Sequence, residues 1–262
     1  MNLLLLRFLK CFLLSTAILI LSSACSTNTP HVGKSVYVNS ENPSLDIQNA
    51  LDKAKSSDKL LLVVMGAQWC HDSRGLAEKF EDTDLANLLS ANYELVFVDV
   101  GYFKDLRDIS QRFGQAHYYA TPTVMIINAK TERLINAKDM HIWGTADSIP
   151  MSQYIDYFAT YAKNRVPVFV PLPENQESSI VAFEQRHSQR LTDAYKVLVP
   201  SMKLEDKSGE ASDLFIKQWK EVKKYRTSLQ IDIQNIRQQV IESPYEPIVF
   251  PNYPPFSWET DT

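Results

Sequence analysis

Glycine is scarce in this chain, 7 of 262 residues, and none stands in a Gly-rich phosphate loop, which argues against nucleotide binding of the dinucleotide or P-loop kind. Positive charge is not in excess. Lys and Arg number 27 against 31 Asp and Glu, a net charge of −4, so the basic footprint of a nucleic-acid partner is missing and none is expected. His31, His117, His141 and His187 are scattered without metal-ligand spacing, so neither a metal nor another cofactor is expected. No GxSxG elbow is present, which leaves a Ser-His-Asp hydrolase without its nucleophile. Cysteine is restricted to Cys11, Cys25 and Cys70. What remains is an ordinary globular composition, 45% hydrophobic and 22% charged, sufficient for a real core in one or two domains.

The N-terminal segment is patterned for export. Arg7 and Lys10 precede an apolar run from Cys11 to Leu21, too short to span a bilayer comfortably, and the run ends in Ser22-Ser23-Ala24-Cys25. The last four residues resemble the lipobox of bacterial lipoproteins. That resemblance implies a signal peptide over residues 1–24, lipid attached to Cys25 and, with Ser26 following, an outer-membrane location on the periplasmic side. Ordinary secretory cleavage is the alternative, because Leu21 lies four residues before the Cys and Ser22 takes the usual Leu place. Cleavage before Cys25 would remove Cys11, acylate Cys25 and leave Cys70 as the one free thiol. In an oxidising compartment an unpaired thiol suggests a reactive or intermolecular role.

Residues 60–76, LLLVVMGAQWCHDSRGL, set the organisation of the rest. A continuous apolar run reads as a strand buried on both faces, Gly66 breaks it, and a helix follows. Trp69 and Cys70 fall at the turn, where free N–H groups and the helix dipole favour an anion, here a thiolate. Protonated His71 would add to that effect and Asp72 would oppose it. A strand, Trp-Cys, two residues and a helix resemble the active-site turn of the thioredoxin-like superfamily. Those proteins carry a second Cys three positions after the first, whereas this chain has Ser73, giving the CxxS form of monothiol relatives. The family's buried Asp on the preceding strand is replaced by Val64. The resemblance also implies that Thr121-Pro122, ahead of the apolar Thr123–Ile127, is the cis-proline turn beside Cys70. Cys70, Ser73, His71 and Trp69 are thus the candidate catalytic residues, and Thr121 and Pro122 the candidate substrate-binding ones. His117 would approach Cys70 if its loop folds over the site.

Asn42-Pro43 reads as a cap and first-turn proline for a helix with Leu45, Ala50, Leu51 and Ala54 on its apolar face. After Cys70 a helix runs to about Ala91, bent at Asp82-Thr83-Asp84. Glu94–Val100 is a second buried strand, Leu106, Ile109 and Phe113 mark a helix ended by Gly114, and residues 151–162 form a closing helix. The order implies a thioredoxin-like α/β fold, a central mixed sheet flanked by helices, over residues 43–165, after a mobile linker at 25–42. Residues 166–242 follow as a proline-rich connector and two helical patterns that pair with each other or engage a protein partner. In residues 243–262 five prolines interleave with Tyr245, Phe250, Tyr253, Phe256 and Trp258, too aromatic for a free tail, so docking is expected. Two functions stay open. One is thiol-disulfide exchange with protein or low-molecular-weight thiols and disulfides, in which Ser73 cannot resolve the mixed disulfide. The other is a redox-inactive binding or scaffold module at the cell envelope.

Overall fold

The computed structural model describes residues 35–166 and 170–260. The expected export segment, Cys11, Cys25 with its expected lipid, His31 and the middle of the proline-rich connector lie outside the described residues. No described helix is long and apolar enough to cross a membrane.

A four-stranded mixed sheet forms the centre, in the order β2-β1-β3-β4. Strand β1 (Leu60–Gly66) runs parallel to β2 (Tyr93–Asp99) and antiparallel to β3 (Thr123–Asn128), which pairs antiparallel with the short β4 (Arg133–Leu134). All seven residues of β1 are buried, as a strand with covered faces and a neighbour on each side requires. Strand β2 departs from the expected fully buried strand. It lies at the sheet edge, and most of its residues keep partial exposure.

Helix α1 (Pro43–Ser56) begins as its sequence implies, with Asn42 Oδ1 accepting from Leu45 N–H at 3.0 Å and Pro43 in the first turn. Its inner face holds Ile47, Ala50, Leu51 and Ala54, whereas Leu45, expected there, is exposed. Helices α2 (His71–Lys79) and α3 (Thr83–Asn92) are separated at Asp82, whose carboxylate accepts from the N–H groups of Asp84 and Leu85. Two free N–H groups of a new helix are thereby satisfied, which is why the chain turns at this point. Helix α4 (Arg107–Arg112) is closed by Gly114 at φ +84°. A 3₁₀ segment, Met140–Ser148, was not legible in the sequence; helix α5 (Met151–Lys163) follows it.

The alternation of β1 separates two cores. Leu60, Leu62 and Val64 pack with α2, α3 and α5 through Leu76, Phe80, Leu85, Tyr154 and Phe158. Leu61, Val63 and Met65 face α1 and α4, in a cluster that continues into the two C-terminal helices. At roughly 1.5–3 kcal/mol for each fully buried aliphatic side chain, β1 contributes to both cores at once.

Helices α6 (Glu174–Ser208) and α7 (Asp213–Glu242) pair with each other, joined through Gly209 at φ +73° and the Ser212 cap. Arg237 near the end of α7 bonds Glu177 and Glu184 near the start of α6, so the pair is antiparallel. The residues at helical spacing are inward: Ile180, Phe183, Leu191, Ala194 and Leu198 on α6, and Phe215, Val222, Leu229, Ile233, Ile236 and Val240 on α7. Arg226, the break in the α7 pattern, is buried too. Its guanidinium lies 5.5–6.0 Å from the ring centroids of Trp219, Phe103 and Tyr195, where aromatic faces compensate part of its lost hydration.

The boundary at residue 166 divides sequence patterns and not packing. Tyr195 of α6 stacks on Phe103 at 3.9 Å, and one apolar cluster contains α1, α4, α6 and α7. The tail docks across α6 and α7. Phe250 stacks on Phe183 at 4.7 Å, Tyr253 meets Tyr225 edge-on at 5.1 Å, and Arg190 covers Phe256 while bonding Pro254 O and Glu259. At the other end, part of the expected mobile linker is also fixed, since Tyr37 is buried and its hydroxyl donates to Ser73 O.

Candidate functional site

Cys70 is the N-cap residue of α2, in extended conformation at φ −83°, ψ 122°. Its carbonyl accepts from Arg74 N–H at 3.1 Å and so starts the helix. The N–H groups of the following turn are those a helix start leaves without intrahelical acceptors, and the Cys70 side chain makes no capping bond to them. Cys70 is 8% exposed and is a free thiol. Its Sγ–H donates to Thr121 O at 3.0 Å.

The peptide between Thr121 and Pro122 is cis. Register places this turn beside the Cys70 turn, because Met65 at the end of β1 pairs with Thr123 at the start of β3. Thr121 is 2% exposed, and its Oγ1 is buried with no hydrogen-bond partner. Its main chain therefore meets the sulfur while its hydroxyl stays unused. Val64 is fully buried on β1, opposite Phe97 and Val124, so no carboxylate stands there.

The other candidates have partners of their own. Ser73 is fully buried, and its Oγ accepts from Ala67 N–H at 3.3 Å. Close packing fixes it: a Cβ on Gly66 would lie 2.7 Å from Ser73 Oγ and 2.5 Å from a Tyr37 ring carbon. His71 is largely exposed, and its Nε2 lies 2.9 Å from Asp147 Oδ2. Asp72 Oδ1 accepts from Asp147 N–H. His71 and Asp72 are thus both engaged by the 3₁₀ segment. Trp69 is half-buried; its Nε1–H donates to Gly101 O at 2.7 Å, and its ring meets Phe103 and Trp219 edge-on at 5.1 and 5.9 Å.

His117 is not folded over Cys70. It is 1% exposed, with Nδ1 against Tyr118 O and Nε2 3.1 Å from Thr192 Oγ1 on α6. Burial pushes its pKa down to about 4, and the nearby Arg107 and Arg226 act in the same direction. It is a neutral interface residue. Tyr37 is a neighbour that residue pattern did not announce, and burial raises the pKa of its phenol. Trp219 of α7 is a second. The residue most able to signal its setting was Arg226, seven positions on, because a charge at a core position of a regular helix calls for special surroundings.

The sheet order, the Cys70 turn and the cis Thr121-Pro122 turn define a thioredoxin-like fold. Residues 42–129, from the cap of α1 to just past β3, match a family model described as Thioredoxin-like. Among solved structures the chain is similar to one described as a disulphide isomerase from Xylella fastidiosa Temecula1, at 24% identity and a TM-score of 0.42, covering 47% of this chain and 94% of that one. Comparison with curated proteins gives no match.

Proposed function

We propose that this chain is an exported monothiol protein that carries out thiol-disulfide exchange through Cys70, held at the periplasmic side of a membrane by lipid on Cys25. One observation carries the reading: a free cysteine caps α2 with its sulfur 3.0 Å from Thr121 O, while the place of a resolving cysteine is taken by Ser73. Deprotonated Cys70 attacks a disulfide sulfur and forms a mixed disulfide. Ser73 has no thiol to release it, so an external thiol does.

Adducts on non-reducing gels and by intact-mass measurement test this. The purified chain mixed with a disulfide should gain reductant-sensitive mass, and Cys70→Ser should gain none. Ser73→Cys should shorten adduct lifetime by supplying an internal thiol. Absence of any adduct would remove the exchange reading. It would leave a module that binds without redox chemistry, which the burial of Cys70 and the engagement of its sulfur by Thr121 O favour. Mass spectrometry of the mature N-terminus addresses the anchor separately; an acylated Cys25 is expected.

A further inference from the structure

The loop that leads to Thr121, whose carbonyl meets Cys70 Sγ, is covered. Tyr118, Tyr119 and Thr121 are 0%, 2% and 2% exposed. From α6, Ser188 Oγ donates to Ala116 O at 2.8 Å, Thr192 Oγ1 meets His117 Nε2, and Tyr195 stacks on Tyr118 at 5.9 Å. From α7, Trp219 meets Trp69 and Phe103, each at 5.9 Å, and Arg226 fills the space between Phe103, Tyr195 and Trp219. The third wall is the 3₁₀ segment: a Cβ on Gly144 would touch Ala120 Cβ at 3.4 Å, and α7 reaches this segment as well. Only a small part of Cys70 remains open, with Gln68 and His71 exposed nearby.

We propose that α6 and α7 make Cys70 selective for low-molecular-weight disulfides over disulfides held in folded proteins, with Trp219 as the residue that sets the limit. This rests on Cys70 acting as an exchange thiol. Solvent takes the Cys70 proton, the resulting thiolate attacks one sulfur of R–S–S–R, a Cys70 Sγ–S bond forms as the S–S bond of R–S–S–R breaks, and the other half leaves as RS⁻. A low-molecular-weight thiolate then attacks the R sulfur, releasing Cys70 as thiolate and a new small disulfide. A small disulfide need only align its two sulfurs with Sγ. A protein disulfide brings two chains with Cα atoms roughly 5.5–6 Å apart, and both would have to clear the Trp69–Trp219 contact.

The test uses the purified full chain and follows Cys70 adduct formation by intact mass, with 2-hydroxyethyl disulfide as the small probe and insulin as the protein probe. Each rate is divided by that probe's rate with free cysteine. The small probe should be favoured by about tenfold or more, a ratio typical of steric discrimination in a packed pocket, and Trp219→Ala should narrow it. Equal normalised rates in the wild-type protein would overturn the proposal, whether or not Trp219→Ala folds. So would an unchanged ratio in a Trp219→Ala protein that keeps its cooperative melting. Adducts with neither probe would instead overturn the exchange chemistry itself, which separates the two failures.

Discussion

The two faces of β1 are closed in different ways. On one, Val64 and its neighbours meet α2, α3 and α5, all from the thioredoxin-like part, and Phe80, Tyr154, Phe158 and Trp143 form a ring cluster with centroids 4.8–6.3 Å apart. On the other, α1 and α4 do not suffice. Tyr118, Tyr119 and Phe103 are covered by α6 and α7, whose residues come from far along the chain. The first face is a self-sufficient core, whereas the second is one half of an interface. A disulfide-exchange fold that exposed the second face would have a wide substrate surface beside its cysteine; here that surface is spent on internal packing.

Removing α6, α7 and the tail by a stop after residue 166 is the strongest way to break this comparison. If the second face depends on the extension, the shortened chain should lose cooperative thermal unfolding and aggregate through the exposed aromatic cluster. By contrast, Phe158→Ala in the self-sufficient core should cost about 3–5 kcal/mol by urea denaturation and leave the rest folded. A shortened chain as stable as the full one would mean that the thioredoxin-like part closes both faces by itself.

Acid should act selectively on the second face. His117 has an ordinary pKa of 6.5 that burial lowers to about 4, so below pH 6.5 the unfolded chain binds a proton that the folded chain refuses. Its contribution is complete above the unfolded value and is lost as pH falls toward the folded one. The loss reaches about 3 kcal/mol near pH 4, at roughly 1.4 kcal/mol per unit. His187 of α6, whose Nδ1 lies 2.8 Å from the Tyr225 hydroxyl, is lowered to about 4 by burial and adds in the same direction. The expected observation is a urea midpoint that falls between pH 7 and pH 4.5, and falls less in His117→Gln. Equal slopes in the two proteins would place the acid sensitivity elsewhere.

The smallest effect belongs to His71. Its contact with Asp147 is exposed on both sides, so His71→Ala should change stability by about 0.5 kcal/mol or less, and salt should erase the difference. A loss above 1 kcal/mol in calorimetry would give the α2 start a larger share of the site's support than its exposure suggests.

The sequence by itself determined the local steps. An unbroken apolar run made β1, Asn42-Pro43 and Asp82 set helix starts, Gly114 set a helix end, and the spacing on α6 and α7 marked the buried stripes. Each is a choice made within a few residues, by propensity, capping or periodicity. The Cys70 and Thr121-Pro122 turns were legible because their chemistry is rare and their spacing matches a known order. Tertiary structure alone decided which partner each group obtained. Ser73 turned to Ala67 N–H, His117 went under α6, Tyr37 left the linker for the core, and Trp219 came to stand against Trp69. These contacts join residues up to 150 positions apart. Periodicity shows that a stripe on a helix must be covered, but what covers it depends on how whole elements fit together, which no local pattern encodes.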